Sequence, residues 1–147
     1  MSISKEIELR FCSDVGLVDL LQEFSDSVSK AAGFDADGQY WIGLAVREAV
    51  TNAILHGNKE DRSKVVELAF GICEDRLRIV VRDQGKGIDE SKIPDPLDPK
   101  NLLKAGGRGI FFVRSFMDSV KFRSRPEGGQ ELIMEKLRSQ KNQGEQE

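Results

Sequence analysis

"REAVTNAILHGN", residues 47–58, decides how this chain is read, because it sets Glu48, Asn52 and His56 at four-residue intervals in a segment otherwise built like a buried helix. At about 100° per residue, Ile42, Ala45, Val46, Ala49 and Ala53 gather on one stripe, and Tyr40, Arg47 and Thr51 fall opposite. Four-residue steps drift by only about 40°, so Glu48, Asn52 and His56 form a row along one flank. Trp41 and Ala45 border that row on one side, Leu44 and Leu55 on the other. A carboxylate in such company loses hydration, at a cost of roughly several kcal/mol unless something pairs with it. The row is therefore either the polar rim of an amphipathic helix or one wall of a ligand site.

The rest of the chain frames that helix, which runs from about Ala36 to His56 and stops at Gly57-Asn58. Upstream, "EIELRFC" alternates Ile7, Leu9 and Phe11 with charges, the period of a half-buried strand. Leu17, Leu20, Leu21, Phe24 and Val28 then repeat at helical spacing from Val15, with Ser13 or Asp14 as the N-cap and Gly33 just past the end. Downstream, "KVVELAFGICEDRLRIVVRD" reads as a hairpin turning at Glu74-Asp75. From Asp83 to Gly109 the chain is punctuated by Gly85, Gly87, Pro94, Pro96, Pro99, Gly106, Gly107 and Gly109, and a loop of that length is functional or disordered. "GIFFVRSFMDS" is expected to be a third helix, and "VKFRSRPEGGQELIMEKL" two strands around Glu127 to Gly129. The order βααββ, loop, αββ predicts an α+β two-layer sandwich, with one mixed, mostly antiparallel sheet and helices on one face. A single domain is expected over residues 1–137, followed by a disordered polar tail over 138–147.

Composition narrows the function classes. A length of 147 residues suits one domain with a real core, and a formal net charge of −3 argues against a basic groove for direct nucleic-acid binding. No apolar run approaches the roughly 20 residues of a membrane span, and "MSISKEIELR" lacks the apolar core of a signal peptide, so a cytoplasmic protein that makes no membrane contact is expected. Cys12 and Cys73 lie outside any C-x-x-C pattern and read as packing residues, and a lone histidine cannot build a histidine metal cluster.

Two further stretches carry chemistry. "VVRDQGKGID" ends a strand on Asp83 and follows it with Gly85 and Gly87, which let a ligand approach the main chain closely. A carboxylate there can accept from an exocyclic amine such as adenine N6. Taken alone, the pattern also fits a simple tight turn. It is not an EF-hand, whose sixth and twelfth positions would be Ile88 and Pro94, and no Rossmann or Walker loop is present. "AGGRGIFF" leads glycines directly into an apolar helix, so backbone N–H groups and the positive end of the helix dipole face the loop, and Arg108 adds forked donors suited to phosphate. A flexible helix entry would have the same composition.

Together, E-x-x-x-N-x-x-x-H-G, then D-x-G-x-G-I, then G-x-G-I before a helix resemble the GHKL ATPase family with its Bergerat ATP-binding fold. The resemblance covers nearly the whole chain, and "AVREAVTNAILHGN" is most similar to the anti-sigma factor serine/threonine kinases. It implies Glu48 as general base, Asn52 as a Mg²⁺ ligand and Asp83 as the adenine reader. It also implies ATP and Mg²⁺ as cofactors, Gly85, Gly87 and Ile88 around the base, and Gly107, Arg108, Gly109 and Ile110 around the phosphates under a mobile lid. The implied partners are an anti-anti-sigma protein of the STAS type, phosphorylated on serine, a sigma factor to be sequestered, and a second copy in a homodimer. Two positions depart from the family: Gln130 stands after Gly129 where threonine is usual, and Asn58 follows His56-Gly57.

Three other functions compete. An ATP-switched binding module would share every motif and lack only the transfer of phosphate. The catalytic half of a two-component histidine kinase is not expected, since no dimerisation helix with a phospho-accepting histidine precedes Ile7. A purely structural domain leaves Glu48, Asp83 and the glycine loop unexplained. His56 reads as a helix-end residue satisfied by a nearby carbonyl more readily than as a catalytic one.

Overall fold

Alternating apolar residues in five segments and helical spacing in two fix the layers. The computed structural model describes residues 2–85 and 113–138. In chain order they form β1 (Ile3–Cys12), a 3-10 turn (Val15–Leu17), α1 (Val18–Ala31), α2 (Ala36–Asn52) continued by a π turn (Ala53–Gly57), β2 (Val65–Cys73), β3 (Arg76–Arg82), β4 (Ser119–Ser124) and β5 (Gln130–Leu137). The sheet order is β1-β2-β3-β5-β4, and all four pairings are antiparallel, so the described strands include no parallel pair. Because β5 inserts between β3 and β4, the end of β3 lies beside the start of β5. That adjacency builds the site described below.

The register sorts the side chains by face. Leu68 pairs with Val81 and Phe70 with Ile79, and Ile79 and Val81 in turn oppose Met134 and Leu132. These residues form one core with Ile42, Val46, Val50 and Ile54, each 0% exposed, from α2 and the turn that continues it. Each such side chain contributes about 1.5–3 kcal/mol on burial, so the helical layer is held mainly by this stripe. The opposite face carries a small apolar cluster of Ala69, Val80 and Ile133. Beside them the register lines up Arg10, Glu67, Arg82, Glu131 and Arg123 across all five strands. Arg82 Nε donates to Glu131 at 2.5 Å, Arg123 to the same carboxylate at 3.0 Å, and Arg82 lies 3.5 Å from Glu67. Alternating charges let this face meet water without a second helical layer.

The expected boundaries hold with local differences. Asp14, not Ser13, caps the first turn by accepting from Gly16 N at 2.9 Å, and Asp35 caps α2 through Gly38 N at 2.8 Å. Gly33 ends the first helical unit at φ +92. The third helix ends earlier than the sequence suggests: residues 113–116 are helical and Ser119 already opens β4, while residues 109–112 lie outside the described residues. Cys73 is buried and Cys12 half-buried, both as free thiols. No described helix is long and apolar enough to cross a membrane.

Candidate functional site

Asp83 is the first residue past β3 and is 6% exposed. Its main chain extends the pairing with β5 by one step, as Asp83 N donates to Gln130 O at 3.0 Å. Its side chain is pinned on one oxygen. Oδ1 accepts from Gly85 N at 3.0 Å and from Gln130 N at 3.1 Å. Oδ2 accepts no hydrogen bond from the described residues and lies against Gly57. Arg125, reaching back from the β4–β5 turn, donates to the Asp83 carbonyl at 2.7 Å and pairs with Glu127 at 3.1 Å. Burial pushes the Asp83 carboxyl above its usual range. The N–H groups of Gly85 and Gln130 and the charges of Arg125 and Lys64 oppose that shift without cancelling it.

Three glycines make room for this carboxylate. A Cβ on Gly57 would strike the Asp83 side chain, one on Gly85 would strike the Gly57 carbonyl, and one on Gly129, which also sits at φ +98, would strike the Asp83 carbonyl. The result is an acceptor oxygen in a walled niche with no bulk beside it. A planar group bearing an amine fits that description, and a cation does not need it.

Glu48 and Asn52 lie on the last turns of α2, both half-buried. Among the described residues neither side chain makes a hydrogen bond or an ion pair. No described cluster of three His, Cys, Asp or Glu could hold a metal by itself. An amide oxygen one turn from a carboxylate suits Mg²⁺, which keeps most of its ligands as water and substrate phosphate.

His56 lies past the end of α2. The helix widens after Asn52 into a π turn closed by Asn58 N donating to Ala53 O at 2.8 Å, and His56 is exposed on it. The four-residue stepping that placed His56 beside Asn52 assumes α geometry, which ends at Asn52. The structure brings Asp83 and Gly85 together with Gly57 and Gly129. Gly57 closes the helix motif and Gly129 precedes the first residue of the last strand in the sequence, but no local spacing reveals that both touch Asp83. Arg125 carried no sequence signal. Gly87, Ile88, Gly107, Arg108, Gly109 and Ile110 lie outside the described residues.

Comparison with known proteins agrees with this frame. The histidine kinase-like ATPase domain family matches residues 11–136. The chain is 43% identical over 97 residues to an anti-sigma F factor of Clostridium perfringens, covering 65% of this chain and 69% of that protein. It is 35% identical over 121 residues to the serine-protein kinase RsbW of Staphylococcus epidermidis, covering 78% of this chain and 76% of that protein. Among solved structures, the catalytic domain of histidine kinase ThkA superposes with a TM-score of 0.60 at 15% identity, covering 90% of this chain and 98% of that one. The RsbU and RsbW domains of Rv1364c from Mycobacterium tuberculosis give 0.62 at 17% identity, with 91% of this chain matching 33% of that longer one. The two structural matches speak for the fold alone, while the family match and the relatives above 30% identity settle descent: the chain belongs to the histidine kinase-like ATPase domain family, in its branch of anti-sigma factor serine kinases.

Proposed function

We propose that the protein is an ATP- and Mg²⁺-dependent serine kinase that phosphorylates an anti-anti-sigma partner of the STAS type. In the same reading it binds a sigma factor as a second partner, forms a homodimer and works in the cytoplasm. The observation that carries the reading is the Asp83 niche: a buried carboxylate with one oxygen pinned by two backbone N–H groups and the other facing glycine. That oxygen accepts from the adenine amine, and the carbonyl edge of guanine in the same place would be repelled.

The remaining roles are those that the family resemblance implies. Glu48 takes the proton of the partner's serine hydroxyl as the serine oxygen forms its bond to the γ-phosphorus. The bond from that phosphorus to the bridging oxygen breaks, and its electron pair leaves with ADP. Asn52 offers its side-chain oxygen to the metal, and bound Mg²⁺ supplies neutralisation of phosphate charge. The family resemblance assigns Gly107, Arg108, Gly109 and Ile110 to the phosphates and Gly87 and Ile88 to the base.

Phosphate transfer to a co-purified partner, measured beside ATP affinity, tests the roles separately. Glu48→Gln keeps the shape of the side chain but is a far weaker base, so ATP affinity is expected to survive while transfer slows about 10²–10⁴-fold. Asn52→Ala is expected to weaken Mg²⁺-dependent ATP binding itself. Transfer at the parental rate by Glu48→Gln removes Glu48 as base. ATP-dependent partner binding with no transfer by the parent protein makes the chain an ATP switch in place of a kinase.

A further inference from the structure

Asn58 lies one residue past the π turn, where the family resemblance gives it no role, and it is 0% exposed. A buried primary amide has two donor hydrogens and an acceptor to satisfy, and here all find partners. Nδ2 donates to Ser13 Oγ at 2.8 Å, at the end of β1, and to Val65 O at 3.2 Å, at the start of β2. Oδ1 accepts from Gln84 N at 2.7 Å. Gln84 closes the ring, since its Oε1 accepts from Val65 N at 2.6 Å. The backbone of Asn58 is fixed as well, N to Ala53 O at 2.8 Å and O from Asp61 N at 3.0 Å. The chain then takes left-handed conformations at two residues with side chains, Lys59 at φ 56 and Glu60 at φ 55. Such backbone persists only where neighbouring contacts over-determine it.

The two ends of this amide do different things. Nδ2 ties together the ends of β1 and β2. Oδ1 holds the residue between Asp83 and Gly85, the two positions that shape the acceptor. We propose that Asn58 is a positioning residue for nucleotide specificity: through Gln84 N it locks the Asp83–Gly85 segment against the end of the helix that bears Glu48 and Asn52. This rests on the reading of Asp83 as the base acceptor. No apolar residue of similar size can substitute, because it would strand Gln84 N and Val65 O in the interior.

The test is the ratio of GTP to ATP dissociation constants, measured by calorimetry well below each variant's melting temperature. A residue that only stabilises the fold shifts the melting temperature and leaves this ratio alone. Asn58→Ala removes both halves of the amide and is expected to lower the ratio about tenfold. Asn58→Asp keeps the acceptor for Gln84 N and loses the donors, so it should melt earlier yet hold the ratio within about threefold of the parent. Ser13→Ala disturbs only the donor half and should leave the ratio unchanged. If the alanine variant does not fold, Gln84→Ala opens the same ring from its exposed side and is expected to lower the ratio about threefold. A parental ratio in both Asn58→Ala and Gln84→Ala, or an equal loss in Ser13→Ala, overturns the proposal. Asp83→Asn is measured in parallel. A parental ratio there removes Asp83 as base reader and the proposal with it, while a loss in Asp83→Asn without one in the Asn58 and Gln84 variants removes the role of Asn58 alone.

Discussion

Replacing Gly57 by alanine adds one methyl group where the helix end meets the Asp83 carboxylate. The position has no left-handed φ, so the backbone accepts alanine, and the change acts through space. Propensity favours it: alanine in place of glycine in a helical turn gains about 1 kcal/mol. Sterics oppose it more strongly. The new Cβ would overlap the carboxylate and stand 3.0 Å from Asp83 Cβ. Asp83 cannot retreat freely, because Oδ1 is held by Gly85 N and Gln130 N. Hydrogen bonds to a charged acceptor contribute about 1.5–3 kcal/mol each, so breaking even one outweighs the propensity gain. The expected net loss of stability is about 1–4 kcal/mol. ATP affinity should fall about 10–100-fold, the worth of one charge-assisted hydrogen bond to the base. Thermal melting and ATP calorimetry on the same preparation read both numbers. A variant that melts above the parent and binds ATP as the parent does would show that the carboxylate and the base do not meet here.

Three other perturbations address the electrostatics and the open face. Burial raises the Asp83 carboxyl while Arg125 helps to lower it, so Arg125→Met is expected to raise it further and move the acid limb of ATP binding to higher pH; below that limb affinity falls about tenfold per pH unit, and an unmoved limb refutes the coupling. The same shift sets the sign for folding: a raised carboxyl gives Asp83 a stability contribution that is complete below its usual value of 3.8 and is lost as pH rises through its folded value, so chemical denaturation of Asp83→Asn should show less of this loss than the parent. Burial alone would raise Glu131, but Arg82 and Arg123 hold it below the usual carboxylate range, a contribution present above the unfolded value and lost as pH falls through the folded one. Arg82→Met leaves Glu8, Glu67 and Glu131 facing one another and is expected to cost about 1–3 kcal/mol at neutral pH, less in acid, as denaturant titration would show.

Periodicity made the layers readable. Ile7, Leu9 and Phe11 face the core as their alternation requires, and the hairpin turns where Glu74-Asp75 interrupts two apolar runs. Asp83 and Glu48 were identifiable because each is a carboxylate set where local pattern calls for something else: at a strand end before alternating glycines, and on the flank of a core stripe. The contacts of Gly129 and Arg125 with Asp83 are not legible locally, for a different reason. Each reaches Asp83 across more than forty positions of sequence, through the insertion of β5 between β3 and β4. That strand order depends on which pairings form at long range, and no window of sequence contains it. The sequence marks Asn58 as a helix-end residue and a departure from relatives but not as a buried hub, since a single buried amide leaves no periodic trace.

On the proposed reading the π turn gives the two halves of the site a common side. Gly57 follows Asn52 by five residues, and in an α-helix five residues turn the chain to about 140° from its starting direction. Helical extension through Gly57 would therefore aim the glycine away from the flank that holds Glu48 and Asn52, and the Asp83 niche would form behind it. With bonds from residue i+5 to residue i, five residues complete little more than one turn, so Gly57 comes round toward the flank of Asn52. On the proposed reading this divides the labour by burial. The acceptor for the base is sealed and pinned, because a mobile carboxylate could not tell adenine from guanine. Glu48 stays half-buried and unpaired among the described residues, because a base already committed to a partner could not take a proton. One extra residue in one helical turn is what lets a single helix serve both requirements.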